Sequence, residues 1–225
     1  MDSLTGIFFL SLFIATFIVL AVTRVEVSKL VRQHHEQKVD FFRAHPIQPG
    51  DTVMVGDSLT DGCRWDEVFP GASIKNRGIN ADTVAGVLKR LDEIIAGQPA
   101  RVFVLIGTND LPLYEYRQDS DILSDYRQLL ERLRAEVPAA RVFVQSLLPR
   151  QRHFASRIRR LNAELSRLAR ETGCAFIDLY PAFSDARGAL RRELTNDNLH
   201  LLGAGYRIWA GILADYMGKP SGPRG

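Results

Sequence analysis

The chain has 225 residues and a formal net charge of +3, with 46% hydrophobic and 24% charged residues. That length holds one full core and something extra, and the near-balanced charge, with no nucleic-acid motif, argues against a nucleic-acid partner. The two cysteines, Cys63 and Cys174, make neither a metal-ligand spacing nor a disulfide framework, so both read as free thiols.

The extra piece comes first. Leu4 to Val22 carries no charge over 19 residues. As a helix it would be ~28 Å long, close to the hydrocarbon thickness of a bilayer. A cleaved signal peptide would need a basic start, a shorter apolar core and a small-x-small cleavage site, and only Met1, Asp2 and Ser3 precede the run. The expectation is therefore a retained single-pass transmembrane anchor over residues 1–24. Arg24, Lys29, Arg32 and Lys38 all follow the span, which by the positive-inside rule places the remainder in the cytoplasm. Residues 25–48 read as a juxtamembrane helix and linker. His34 and His35 are neighbours in it, point about 100° apart and do not chelate together. Pro46, Pro49 and Gly50 mark the start of a domain over 49–218.

Short apolar runs then alternate with longer amphipathic ones. Strands are expected at Thr52–Val55, Ser73–Lys75, Val102–Ile106, Val142–Gln145 and Phe176–Leu179. Helical stripes run from Val84 to Ile95, capped by Asn80 or Asp82 and stopped at Gly97; from Ile122 to Val137, closed by Pro138; from Ile158 to Leu168, closed by Gly173; and from about Ala204 to Met217. The tail from Gly218 reads as disordered. Strands apolar almost throughout, with helices between, imply an α/β fold with a parallel sheet covered on both faces. In such folds the chemistry gathers at the carboxyl ends of the strands.

Those ends deliver Gly56-Asp57-Ser58, Asn76-Arg77-Gly78 and Gly107-Thr108-Asn109-Asp110, with Asp197-Asn198-Leu199-His200 before the last helix. A hydroxyl, an imidazole with a carboxylate three residues away, and neutral N–H donors are the set that acyl transfer needs. Singly, Ser58 reads as a helix cap and Asn109 as a turn residue; together they read as a site. Asp57 and Asp110 read as loop or cap formers, Trp65 as packing and His153 as exposed. The arginines between Arg150 and Arg170 read as a solvated face partly balanced by Glu164 and Glu171, with anionic lipid headgroups as the sharper alternative.

The blocks "GDSLT", "NRGINADT", "IGTND" and "DNLHLLGAGY", in this order, resemble the SGNH subgroup of GDSL esterases and lipases. Over about Asp51 to Met217 the chain is similar to the bacterial branch related to platelet-activating-factor acetylhydrolase catalytic subunits. The GxSxG elbow of ordinary α/β-hydrolases is absent, since Thr60 replaces its last glycine. The resemblance implies a flavodoxin-like three-layer α/β/α sandwich on a five-stranded parallel sheet. It implies Ser58 as nucleophile, His200 as base, Asp197 as its orienter, and an oxyanion hole from the Ser58 and Gly78 N–H groups and the Asn109 amide, with no cofactor and no metal. It departs from the family's usual text at Asn198, where Gly is common and Asn tolerates the same left-handed angles; at Ala81, also often Gly, which should reshape the pocket rim; and at Ala155, near which relatives often carry Asn. The expected activity is hydrolysis of acetyl or other short acyl esters of a small-molecule, lipid or glycan substrate, lysophospholipid among them. Thioester hydrolysis, acyl transfer and a catalytically silent membrane-tethered binding module are the alternatives.

Overall fold

The computed structural model describes residues 3–111 and 117–217, with the backbone alone at positions 3–8, 10–12, 14–15 and 18. The expected disorder of the tail from Gly218 falls outside the described residues. The chain divides into two compact units, Met1–Asp40 and Phe41–Gly225.

The first unit belongs to one continuous helix, α1, Ser3–Ala44. Phe9, Phe13, Phe17, Val19, Leu20 and Val22 are all exposed on it. Among the described residues no helix is long and apolar enough to cross a membrane. The transmembrane span expected over Leu4–Val22 therefore finds no support there, and more than half of that stretch has no described side chain.

The second unit is built on a five-stranded parallel sheet: β1 Thr52–Gly56, β2 Ile74–Gly78, β3 Arg101–Leu105, β4 Arg141–Gln145 and β5 Ala175–Ile177. Its order, β2-β1-β3-β4-β5, is the doubly wound order expected for a flavodoxin-like sandwich. Between and after the strands come α2 Ser58–Asp61, α3 Trp65–Val68, α4 Val84–Lys89, α5 Leu91–Ala96, α6 Asp119–Glu136, α7 Ala155–Glu171, α8 Tyr180–Phe183 and α9 Gly203–Met217.

Strand periodicity divides the core in two. Val53, Val55, Val102, Val104, Val142 and Val144 point to one face and pack with α4, α5, α6 and α7. Met54, Phe103, Leu105, Phe143 and Ile177 point to the other and pack with α2, α3, α8 and α9. Alternate residues of a strand face opposite ways, and here both faces are dry, so the strands read as near-continuous apolar runs. Trp65 packs on this second face, edge-on to Trp209 at 5.1 Å.

The structure shifts three sequence expectations. β5 starts one residue earlier than expected and ends at Ile177, because Leu179 caps α8. β2 begins one residue later than expected and runs on to Gly78. The stripe Val84–Ile95 is two helices, broken at Arg90 and capped by the Thr83 hydroxyl, which accepts the Gly86 N–H at 3.1 Å. The break has a cause. Arg90 is buried, and its guanidinium leaves the helix surface to reach Asp82 Oδ2 at 2.8 Å and the Arg77 carbonyl at 2.8 Å.

Candidate active site

The register leaves Gly56 level with Gly78 and with Leu105, so β1, β2 and β3 end together. Gly56 must be glycine: a Cβ there would lie 2.1 Å from Thr60 Oγ1 and 2.4 Å from the Leu105 carbonyl. Asp57 follows as N-cap of α2, its Oδ1 accepting the Leu59 N–H at 3.0 Å. Ser58 is thus the first residue of a helix held tightly at its start, with its side chain half-buried at the sheet edge.

The loop before α9 brings the partners. Asp197 Oδ1 accepts the Leu199 and His200 N–H groups at 2.9 and 2.8 Å and the Thr195 hydroxyl at 3.2 Å. Asn198 closes this turn at φ 63°, the left-handed angle expected of it. Asp197 Oδ2 lies 2.6 Å from His200 Nδ1, and His200 Nε2 lies 3.0 Å from Ser58 Oγ. Desolvation pushes the Asp197 carboxyl up, but the His200 ring and the backbone N–H groups outweigh it and hold it at about 2. In the neutral ring an ionised Asp197 fixes the tautomer, with the proton on Nδ1 and Nε2 as acceptor for the Ser58 hydroxyl.

Ser58, Asn109 and His200 line one open cleft of about 600 Å³, together with Gly62, Asn80, Ala81, Leu199, Leu201 and Tyr206. Asn109 Nδ2 donates to the Asp82 carbonyl at 2.9 Å, which orients the amide.

Gly78 is a correction. It does not line the cleft; it is buried, and its N–H donates to Asn76 Oδ1 at 2.9 Å. A Cβ at Gly78 would lie 2.3 Å from the Asp61 nitrogen. The reason is the close pass of β2 under α2, where Asn76 Nδ2 donates to the Thr60, Asp61 and Cys63 carbonyls. Glycine at 78 thus serves the approach of backbone to backbone, not of backbone to ligand. The cleft is lined from that side by Asn80 and Ala81, both exposed, the latter at φ 62°. Among the described residues neither the Ser58 N–H nor the Ala81 N–H donates to another group. The sequence marked Ala81 only as a departure from glycine, although that departure was itself the sign of a left-handed position.

Asp57 and Asp110, read from sequence as loop formers, are fully buried under this edge. Burial pushes the Asp57 carboxyl up to about 7, against the Leu59 N–H, with Asp82 and Asp110 adding to the rise and Arg150 opposing it. Among the described residues Asp57 Oδ2 has no hydrogen-bond partner. Of the arginines after β4, Arg157 is largely buried in its pair with Asp119, whereas Arg167 is exposed and paired with Glu164 and Glu171. His153 is exposed, as expected.

A nucleophile, a bare imidazole nitrogen and a fixed carboxylate in one hydrogen-bonded line, beside an oriented amide, can carry acyl transfer. The fold is shared widely among solved structures. A Streptococcus pneumonia protein provisionally described as a platelet activating factor superposes with a TM-score of 0.78 at 24% identity, covering 88% of this chain and 99% of its own. A GDSL-like lipase from Bacteroides thetaiotaomicron gives 0.70 at 22% identity, over 84% of this chain and 97% of its own. An acetylxylan esterase from Geobacillus stearothermophilus gives 0.59 at 23% identity, over 76% and 96%. No curated protein matches the sequence. The pattern of one family, however, runs through residues 54–208, from β1 into α9, taking in every residue of the cleft: the chain belongs to the GDSL-like lipase/acylhydrolase family.

Proposed function

We propose that this acylhydrolase-family chain is a serine esterase that cleaves carboxylic esters through an acyl-enzyme on Ser58. The line Asp197–His200–Ser58, with links of 2.6 and 3.0 Å opening on the cleft, carries the reading. Ser58 Oγ attacks the ester carbonyl while its proton passes to His200 Nε2. Asp197 stabilises the imidazolium that forms. The oxygen turned negative is met by Asn109 Nδ2 and by the Ser58 and Ala81 N–H groups, Ala81 taking the place expected of Gly78. His200 then gives its proton to the leaving alcohol; water, deprotonated by the same nitrogen, attacks the acyl carbon, and the acyl–Oγ bond breaks as His200 returns the proton to Ser58 Oγ, releasing the acid.

The acyl group is short, an acetyl ester being the first candidate. The cleft is open, with Ala81, Leu199, Leu201 and Tyr206 giving it an apolar wall beside Ser58, Asn109 and His200. The acetylxylan esterase among the structural neighbours is in keeping with this choice. A panel of p-nitrophenyl esters of increasing chain length tests it: turnover falls beyond the shortest acyl groups and is abolished in Ser58→Ala. Equal turnover in Ser58→Ala would refute the esterase reading.

We also propose that the exposed apolar residues from Phe9 to Val22 hold the protein at a membrane. Flotation of the full chain with phosphatidylcholine vesicles supports this; recovery of all the protein at the bottom of the gradient refutes it.

A further inference from the structure

Two loops bring donors to the cleft: residues 80–84, with Ala81, and residues 107–111, with Asn109. They are bonded to each other twice, in opposite senses. Asn109 Nδ2 donates from the second loop to the Asp82 carbonyl of the first at 2.9 Å. The Val84 N–H donates from the first loop to Asp110 Oδ2 of the second at 3.0 Å. Asp110 is fully buried, and its other oxygen takes Arg117 Nη1 at 2.5 Å. Arg117 in turn donates Nη2 to Asp125 on α6 at 2.6 Å. The loops therefore do not only touch; through Asp110 they are tied to a long helix of the core.

Ala81 holds a backbone angle that a side chain disfavours. Such an angle persists only where its surroundings over-determine it. The Val84–Asp110 bond lies three residues further along the same short loop, and the Asn109–Asp82 bond lies one residue away. Removing the Asp110 carboxylate breaks the first of these bonds and leaves the second to hold the loop by itself.

We propose that Asp110 is a positioning residue for the oxyanion hole, acting through Val84 to set the loop of Ala81 against the amide of Asn109. The proposal rests on the serine-esterase reading and deepens it. Asp110 does not touch the substrate. Its loss would blur the donors that meet charge in the transition state and leave ground-state binding nearly as it was, so kcat falls while KM stays.

Three variants test this on p-nitrophenyl acetate with the full chain. Asp110→Ala removes both acceptors. Asp110→Asn keeps a carbonyl for the Val84 N–H. Val84→Pro deletes that N–H and leaves the Asp110 carboxylate intact, replacing a buried valine by a ring of similar size, at the first position of α4, where proline is well accepted, and after Thr83, whose extended backbone suits a following proline. Asp110→Ala and Val84→Pro should each lower kcat by about tenfold or more with KM within about twofold, and Asp110→Asn should recover most of the rate. In an Asn109→Ala background, where the first loop has already lost its Asp82 bond and the hole one donor, Asp110→Ala should lower kcat by a smaller factor than in the wild type. A merely structural carboxylate would lower the melting temperature and leave this split and this non-additivity absent. The proposal is overturned if folded Val84→Pro and Asp110→Ala keep wild-type kcat, or if the Asp110 and Asn109 effects simply multiply. Wild type labelled by a fluorophosphonate in that case leaves the esterase reading standing; unlabelled, inactive wild type overturns both.

Discussion

Two small residues, one ending β2 and one in the loop after it, have opposite duties. Gly78 is held by its backbone contact with Asp61, whereas Ala81 is open to the cleft but sits at φ 62°. Gly78→Ala should be strongly destabilising, since the added Cβ meets backbone that cannot give way. Ala81→Gly should raise stability by about 0.5–1 kcal/mol by relieving the left-handed angle, as differential scanning calorimetry would show. Asp197 provides a pH test at the same scale. Its carboxyl is held at about 2, below its ordinary value of 3.8, so its contribution to stability is present above pH ~4 and lost as pH falls through about 2. The stability gap between wild type and Asp197→Asn should therefore shrink across that window in acid titrations. At this scale the sequence was legible where chemistry sits on side chains. Ser58, Asn109, Asp197 and His200 all meet at one sheet edge. It misled at Gly78, because a backbone donor leaves no mark in the text beyond the glycine, and glycine there had a second use.

At the scale of elements, the apolar runs and stripes announced strands and helices because buried parallel strands and amphipathic helices have different periods. The break at Arg90 was not legible. Leu88 and Leu91 continue the stripe, and only the tertiary pull of Asp82 and the Arg77 carbonyl on the guanidinium interrupts it. That pair is almost fully buried on both sides. Removing one partner leaves the other charge without its ion pair, so Arg90→Ala should cost about 3–5 kcal/mol in urea unfolding. Restoring length with Arg90→Met should recover packing but not the whole loss. Asp110 was read as a turn former for the same reason that Arg90 was read as helix: its partner, Val84, is 26 residues away.

Across the whole molecule, the covered parallel sheet followed from alternating elements, its flavodoxin-like winding from the family resemblance, and the site from the rule that strand ends converge. The N-terminal run is where composition and structure part: nineteen uncharged residues predicted a span, yet among the described residues no helix is long and apolar enough to cross a membrane. Phe42, within the same helix, is buried under the Arg77 guanidinium at 4.5 Å, so Phe42→Ala should destabilise by about 3–5 kcal/mol. The global pH response should carry the mark of Asp57. Its folded value of about 7 exceeds the unfolded one, so the unfolded chain releases this proton first, and stability falls as pH rises from about 4 to 7. Asp57→Asn should flatten that decline.

The whole account depends on Ser58 being a nucleophile drawn out by His200. Intact-mass and peptide-mapping spectrometry after exposure to a fluorophosphonate measures this directly. The account predicts one adduct, on the peptide holding Ser58, formed far more slowly in His200→Ala. A folded wild-type protein that stays unmodified, or is modified elsewhere, would contradict it.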